Sequence, residues 1–429
     1  MIRVNHAAEK DHNLHGVSQN VFPLPFFFEE IILNQNKMPG RKTKYHPGYT
    51  GSNKVSLVHG GKPYFNRLLQ LIASAVHTIH IQVYILDDDE TGNTVALALQ
   101  EAAARNVQVF VLADGYGSRT LHRSFVKKLR DAGVHFAFFE PLFKSSHFYV
   151  GRRLHTKIVV VDACFGLVGG INITNRYNDM PGRTSWLDYA LYVEGEAATE
   201  LCRVCNEAWK RRLPALPDCT APVISFPEVC EVAVRRNDWI KRKNEISESY
   251  VQMFRNAQKR IVILCSYFLP GRVIRRKLEE AAKRGVKITL ITAGASDVPV
   301  TKLAERYLYG WLQRHKVEIY EYHPVILHGK LAVADGQWLT IGSYNINNLS
   351  AYVSIELNLD VRQEAIAQST EQLLMHIAQN DCKHIARDFQ RNAAPVKRFF
   401  QWFAYNTLRL SLFLLTFYYR HTLPKREAD

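Results

Sequence analysis

Apolar positions in this chain fall in short unbroken runs separated by charged stretches of helical period, and the same series occurs twice. HTIHIQVYIL (77–86) is followed by ALALQEAAARNVQVFVLADGYGS (96–118), and KRIVILCSYFL (259–269) by VIRRKLEEAAKRGVKITLITAGASD (273–297). Each series reads as an apolar strand, a charged amphipathic helix and a second apolar strand. Strands and helices alternating at that length predict βαβ units with right-handed crossovers and a buried sheet. Each half then continues into a strand, a turn and a strand, IVVVDACFGLVGGI and LAVADGQWLTIGS. The expected fold class is α/β: two homologous halves, each a mixed, largely parallel β-sheet flanked by helices.

Punctuation divides the chain further. LPALPDCTAPVISFP carries prolines at 214, 217, 222 and 227, a density that breaks regular structure and reads as a linker over 214–231. The halves are then 51–213 and 232–390, with an N-terminal extension over 1–50 and a tail over 391–429. Within the extension, VFPLPFFFEEIIL (21–33) is apolar and is expected to pack on the core rather than touch a membrane. In the tail, RFFQWFAYNTLRLSLFLLTFYYRH (398–421) places Arg398, Gln401, Asn406, Arg409, Thr416 and Arg420 within one helical arc and leaves the rest mostly apolar. That pattern predicts an amphipathic helix lying in a bilayer interface, its basic residues meeting anionic headgroups, with a helix packed in the core or against another copy as the other reading. A spanning helix would have to bury Arg409, Asn406 and Gln401.

A chain of 429 residues with 47% hydrophobic residues has enough core for two domains or pseudo-domains. Its net charge of +15 favours anionic partners, whether phospholipid headgroups, nucleic acid or phosphorylated metabolites. The seven cysteines, at 164, 202, 205, 219, 230, 265 and 382, are odd in number and irregular in spacing, unlike a disulfide framework. With no charged-then-apolar export pattern at the start, they point to a reducing, cytoplasmic setting.

The chemistry lies in a repeated motif. HTKIVVVDACFGLVGGIN (155–172) and HGKLAVADGQWLTIGSYN (328–345) both read H-x-K, four residues, D, six residues, G-[GS]-x-N. Displacement at a phosphodiester needs a nucleophile, a proton donor for the leaving alkoxide, positive charge around the phosphoryl oxygens, and positioning. One imidazole of the His155 and His328 pair can attack phosphorus and form a phosphohistidine, while the other serves as acid and then base. Lys157 and Lys330 supply charge, and Asn172 and Asn345 can donate amide hydrogen bonds to the same oxygens. Asp162 and Asp335 complete the candidate catalytic set, with a structural role within their own half as the other reading. Asp188 and Glu356, at comparable places downstream, are candidates to orient the histidines. Gly169-Gly170 and Gly342 suit a tight turn or close approach of backbone to phosphate. No metal-ligand spacing, P-loop or G-x-S-x-G is present, and no metal or cofactor is expected.

These residues resemble the paired HKD motifs of the phospholipase D superfamily. GGINITNRYND, GSYNINNLSAYVSIELN, IHIQVYILDDDETG and ILCSYFLPG are similar to its bacterial cardiolipin synthase branch, in a short form without N-terminal membrane helices. The stretch INNLSAY lacks the arginines often found there. The resemblance spans roughly 55–385. It implies a pseudo-twofold arrangement with one shared active-site cleft, metal-independent phosphohistidine chemistry, and His155 as the favoured nucleophile. The implied reaction moves a phosphatidyl group from one phospholipid, phosphatidylglycerol foremost, to the hydroxyl of another, giving cardiolipin and glycerol. A phospholipase D-type hydrolase is the alternative, and a nuclease is disfavoured because basic residues are dispersed rather than arrayed with aromatics. The expected partners are anionic phospholipids and a membrane surface met through the C-terminal helix, with no nucleic acid and no obligate protein partner. The expected location is peripheral, on the cytoplasmic face of a bacterial inner membrane.

Overall fold

The computed structural model describes residues 48–140, 152–210, 212–220, 226, 228–390 and 392–422. The segment 21–33 lies outside them. Residues from Gly48 onward form one compact unit around two sheets. The first sheet has seven strands in the order Asn53–His59, Tyr189–Gly195, Phe165–Gly169, Ile158–Val161, Thr78–Val83, Gln108–Asp114, His135–Phe139. The second runs Tyr49–Thr50, Glu231–Asp238, Ser354–Arg362, Trp338–Gly342, Lys330–Ala334, Arg260–Cys265, Lys287–Ala293, Glu318–Tyr322, Cys382–His384. Leaving aside its two end strands, the second sheet repeats the order of the first strand for strand. The duplication of the motifs is a duplication of topology.

Parallel pairing joins three neighbouring strands in each sheet, the βαβ part read from the apolar runs, and otherwise only the two-residue strand Arg153–Leu154 with Ser354–Arg362. The remaining neighbour pairs are antiparallel. The sheets are mixed, as expected, but the expectation that they are largely parallel is corrected. Helical period between strands betrays a crossover, whereas antiparallel neighbours need only a turn and leave no such mark.

Three large cores fill the unit, beside a smaller cluster of Phe110, Leu112, Phe139, Leu154 and Trp209. One lies between the first sheet and the helices Lys62–Ser74, Glu90–Ala104 and Arg123–Asp131. Another lies between the second sheet and the helices Glu245–Asn256, Arg272–Lys283 and Pro299–Arg314. The third joins both sheets: Ile158, Val160, Leu191 and Val193 from the first pack with Leu331, Val333, Leu357 and Leu359 from the second. Strands such as Thr78–Val83 are buried at every position because cores press on both faces.

Two boundaries differ from expectation. Tyr49–Thr50, placed in the N-terminal extension, is a strand of the second sheet, with Tyr49 opposite Ala233. Two residues carry no readable alternation. Arg153–Leu154, from the first half, pairs with Ser354 and Ile355 of the second. The cysteine reading is also corrected: Cys202 and Cys219 form a disulfide. The linker folds back on the helix Glu196–Trp209, where Asn206 Nδ2 donates to Pro217 O at 2.8 Å, and that return brings position 219 to position 202.

The tail forms the expected helix, Pro395–Thr422. Gln401 and Ala404 are buried, and Tyr405 packs on Tyr307 with ring centres 4.8 Å apart. Phe399, Phe403, Leu410 and Leu414, which share the opposite face, are all exposed. Gln401, expected among the headgroups, faces the protein instead, and the apolar face is turned outward. No helix among the described residues is long and apolar enough to cross a membrane.

Candidate active site

Each motif histidine lies just before its strand, Ile158–Val161 or Lys330–Ala334, and backbone bonds tie it to the opposite half. His155 N–H donates to Ile355 O at 3.0 Å, and His328 N–H donates to Leu187 O at 2.8 Å. The side chains cross in the same sense. His155 Nδ1 lies 2.9 Å from Glu356 Oε2, and His328 Nδ1 lies 2.7 Å from Asp188 Oδ2. Both carboxylates are fully buried. Each imidazole is therefore held by a carboxylate from the other half. With Nδ1–H donating to that carboxylate, the Nε2 lone pair is the free one. Among the described residues, no hydrogen bond engages either Nε2.

The lysines are buried beside the rings. Lys157 Nζ donates to His155 O at 2.7 Å, while Lys330 Nζ donates to His328 O and to Ser266 Oγ, the latter at 3.1 Å. Burial pulls Lys157 down to about 7, against the attraction of Glu356 and reinforced by the charge of Lys330. Burial likewise lowers Lys330 and His155. Burial and then Lys330 bring His328 down to about 4, opposed by Asp188. These influences cross the halves: Lys330 acts on His155 and Lys157, and Lys157 acts on His328. The two motifs form one electrostatic site, short of protons until an anion enters.

Asn172 and Asn345 each use the side-chain oxygen for support. Ile85 N–H donates to Asn172 Oδ1 at 3.0 Å, and Ser266 Oγ donates to Asn345 Oδ1 at 3.0 Å. The amide nitrogens are left as the donating ends. That of Asn172 gives one bond to Tyr177 OH at 3.0 Å.

Asp162 and Asp335 do not join this site. Both sit in left-handed turns at the far ends of their strands, with φ of 51° and 54°. Asp162 accepts backbone N–H bonds from Val76, His77 and Thr78, and Asp335 accepts them from Gln258, Lys259 and Arg260. Each fastens the start of the neighbouring central strand. The catalytic role expected of them gives way to the structural one: their place in the motif reflects a shared hairpin, not a shared cleft. The glycines are also explained differently. A Cβ at Gly170 would lie 2.5 Å from Asp188 Oδ1, and one at Gly342 would lie 2.2 Å from Leu357 O. They admit the strands that carry the orienting carboxylates. Ser343, which stands where the first motif has Gly170, donates to Glu356 Oε2.

Sequence reasoning missed the aromatic walls. The Tyr84 ring stands 5.0 Å from the His155 ring and 5.2 Å from Lys157 Nζ. Tyr177 and Trp186 stand 5.2 Å and 6.0 Å from the His328 ring. Tyr177 and Trp186 follow the first motif closely, which was the available signal, whereas Tyr84 lies far upstream of it and carried none. Among the described residues there is no cluster of side chains suited to a metal ion.

Comparison with known proteins agrees with this geometry. The family model described as cardiolipin synthase, PLD-like domain, matches residues 68–201 and 250–378, one segment per half. Cardiolipin synthase B of Salmonella typhi is 32% identical over 350 residues, covering 79% of this chain and 83% of that protein. Cardiolipin synthase B of Escherichia coli strain K12 is 31% identical over 346 residues, covering 78% and 82%. The crystal structure of phosphatidylserine synthase from Haemophilus influenzae superposes with a TM-score of 0.67 over 90% of this chain and 98% of that one; at 14% identity it speaks for the fold alone.

Proposed function

This chain belongs to the cardiolipin synthase family with its phospholipase D-like domain, and on that premise we propose that it is a phosphatidyltransferase that joins two phosphatidylglycerols. Nε2 of His155 attacks the donor phosphorus; the P–O bond to the head glycerol breaks, and protonated His328 gives that alkoxide its proton. His328 then removes the proton from the acceptor hydroxyl, whose oxygen attacks the phosphohistidine. The P–N bond breaks and cardiolipin leaves. Lys157, Lys330, Asn172 and Asn345 hold the phosphoryl oxygens, and Glu356 and Asp188 keep the rings in register. The observation that carries the reading is the crossed pairing of each imidazole with the other half's carboxylate.

A lipid substrate fits better than nucleic acid. Much of the basic run 235–243 is spent on ion pairs: Arg235 with Asp360 at 3.1 Å, and Arg236 and Lys241 with Glu207 at 2.9 and 3.4 Å. The outward apolar face of the C-terminal helix supports peripheral attachment to a bilayer. The purified protein on vesicles of labelled phosphatidylglycerol is expected to yield cardiolipin and glycerol, unaffected by chelators. Phosphatidic acid as the main product would indicate a hydrolase instead.

We place the protein on the cytoplasmic face of the inner membrane, a site the Cys202–Cys219 pair tests. A reducing compartment opens that disulfide, so both sulfurs are expected there as thiols that a reagent added at lysis under denaturing conditions labels. A disulfide recovered intact from cells would place the domain on the oxidising side.

A further inference from the structure

We propose that the cleft holds a second anion, the phosphate of the acceptor, on Arg153 and Arg119 beside His155. The proposal rests on the phosphatidyltransferase reading and names the group that selects the acceptor. Arg153 precedes His155 by two residues, a stretch of chain no longer than about 7 Å. Its guanidinium lies 5.7 Å from the centre of the Tyr116 ring, and that of Arg119 lies 4.5 Å from the same ring. Both charges reach Tyr84, whose ring stands 5.0 Å from that of His155. The patch is thus continuous with the reacting centre.

Asp114 holds this patch in place. Its carboxylate accepts backbone N–H bonds from Tyr116, Gly117 and Leu154 and lies 3.7 Å from Arg153. Backbone donors satisfy most of its lone pairs, so Arg153 keeps donors for an incoming anion. An acceptor phosphatidylglycerol carries its phosphate only a three-carbon bridge away from the attacking hydroxyl. A fork of guanidinium donors near the phosphohistidine matches that disposition.

The pseudo-twofold comparison gives the patch its direction. Gln108–Asp114 and Lys287–Ala293 occupy the same place in their sheets, and each leads into a loop over its own half. In the first half that loop carries Tyr116 and Arg119. In the second it carries Asp297, which bonds Tyr267 OH and bears on Lys330. The loop of the first half thus brings a guanidinium where that of the second brings a carboxylate. A second phosphate is drawn to the His155 end and repelled from the His328 end.

The test compares two soluble acceptors, labelled glycerol phosphate and labelled glycerol, with vesicles of unlabelled phosphatidylglycerol as donor, so that transfer to either is read as label entering lipid. The wild-type protein is expected to favour the phosphate-bearing acceptor. Arg119→Gln and Arg153→Gln are expected to lower its use at least ten-fold while transfer to glycerol stays within two-fold. Arg119 is exposed, so its variant guards against misfolding of the other. Equal losses with both acceptors, or an unchanged preference, overturn the proposal. If the wild type makes phosphatidic acid but no cardiolipin from vesicles, the transferase reading fails, while the acceptor preference still reports on the arginines.

Discussion

Four buried or capping carboxylates divide into two jobs, and substitution separates them. Glu356→Gln and Asp188→Asn remove the charge that orients an imidazole, so turnover is expected to fall by about 10²–10⁴ with the fold retained. Asp162→Asn and Asp335→Asn weaken three backbone bonds apiece and are expected to cost roughly 1–3 kcal/mol of stability, with turnover per folded molecule unchanged. Denaturant unfolding and steady-state assays on the four variants check this, and the reverse pattern would return the motif aspartates to the chemistry. The lysine and histidine environments give a pH signature. Lys157 is held at about 7, so binding of a phosphate near neutrality is expected to take up protons and to tighten as pH falls through 7. Calorimetry in two buffers of different ionisation enthalpy measures that uptake, and Lys157→Met is expected to remove most of it. For stability, His328 titrates at about 4 when folded and at 6.5 otherwise. Its contribution is complete above 6.5 and is lost as pH falls through 4. The imidazoles, lysines and asparagines that the fold gathers could be singled out because the motif repeats. Which carboxylate serves which ring was not, since that depends on how two halves face each other. Tyr84, Tyr177 and Trp186 were illegible for a related reason: an aromatic outside a motif looks like core until its neighbour is known.

Among the elements, the C-terminal helix makes the plainest test. Gln401, Ala404 and Tyr405 fix it to the domain, and Phe399, Phe403, Leu410 and Leu414 face away. Burying a phenylalanine contributes about 1.5–3 kcal/mol. Phe399→Asp with Phe403→Asp is therefore expected to weaken vesicle binding at least a hundred-fold, with the unfolding midpoint unchanged. Co-sedimentation with anionic vesicles reads this, and unaltered binding removes the helix from the membrane contact. The amphipathic period identified the helix but not its mounting, because the packing face is chosen by the partner helix Pro299–Arg314. Strands followed the same rule. Apolar runs such as IVILC declared themselves, while the two-residue strand Tyr49–Thr50 and the antiparallel neighbours carried no period to read. The disulfide was hidden because Cys219 reaches Cys202 only through the fold of a proline-rich linker.

Taken whole, the molecule is two copies of one topology that complete each other's active centre. Neither half contains an oriented imidazole on its own, since Glu356 serves His155 and Asp188 serves His328. His155→Ala and His328→Ala are each expected to abolish turnover, because a single displacement site cannot recycle its proton. The duplication and the α/β class were readable from the spacing of apolar runs, and the shared site was implied by the family resemblance. The exchange of carboxylates appears only once the two halves are brought together. The stereochemical course at phosphorus bears most directly on this two-histidine account. With phosphatidylglycerol chiral at phosphorus through sulfur and oxygen-isotope substitution, two successive in-line displacements are expected to deliver product with retained configuration. Inversion would mean one direct displacement, with no covalent histidine intermediate, and would contradict the account.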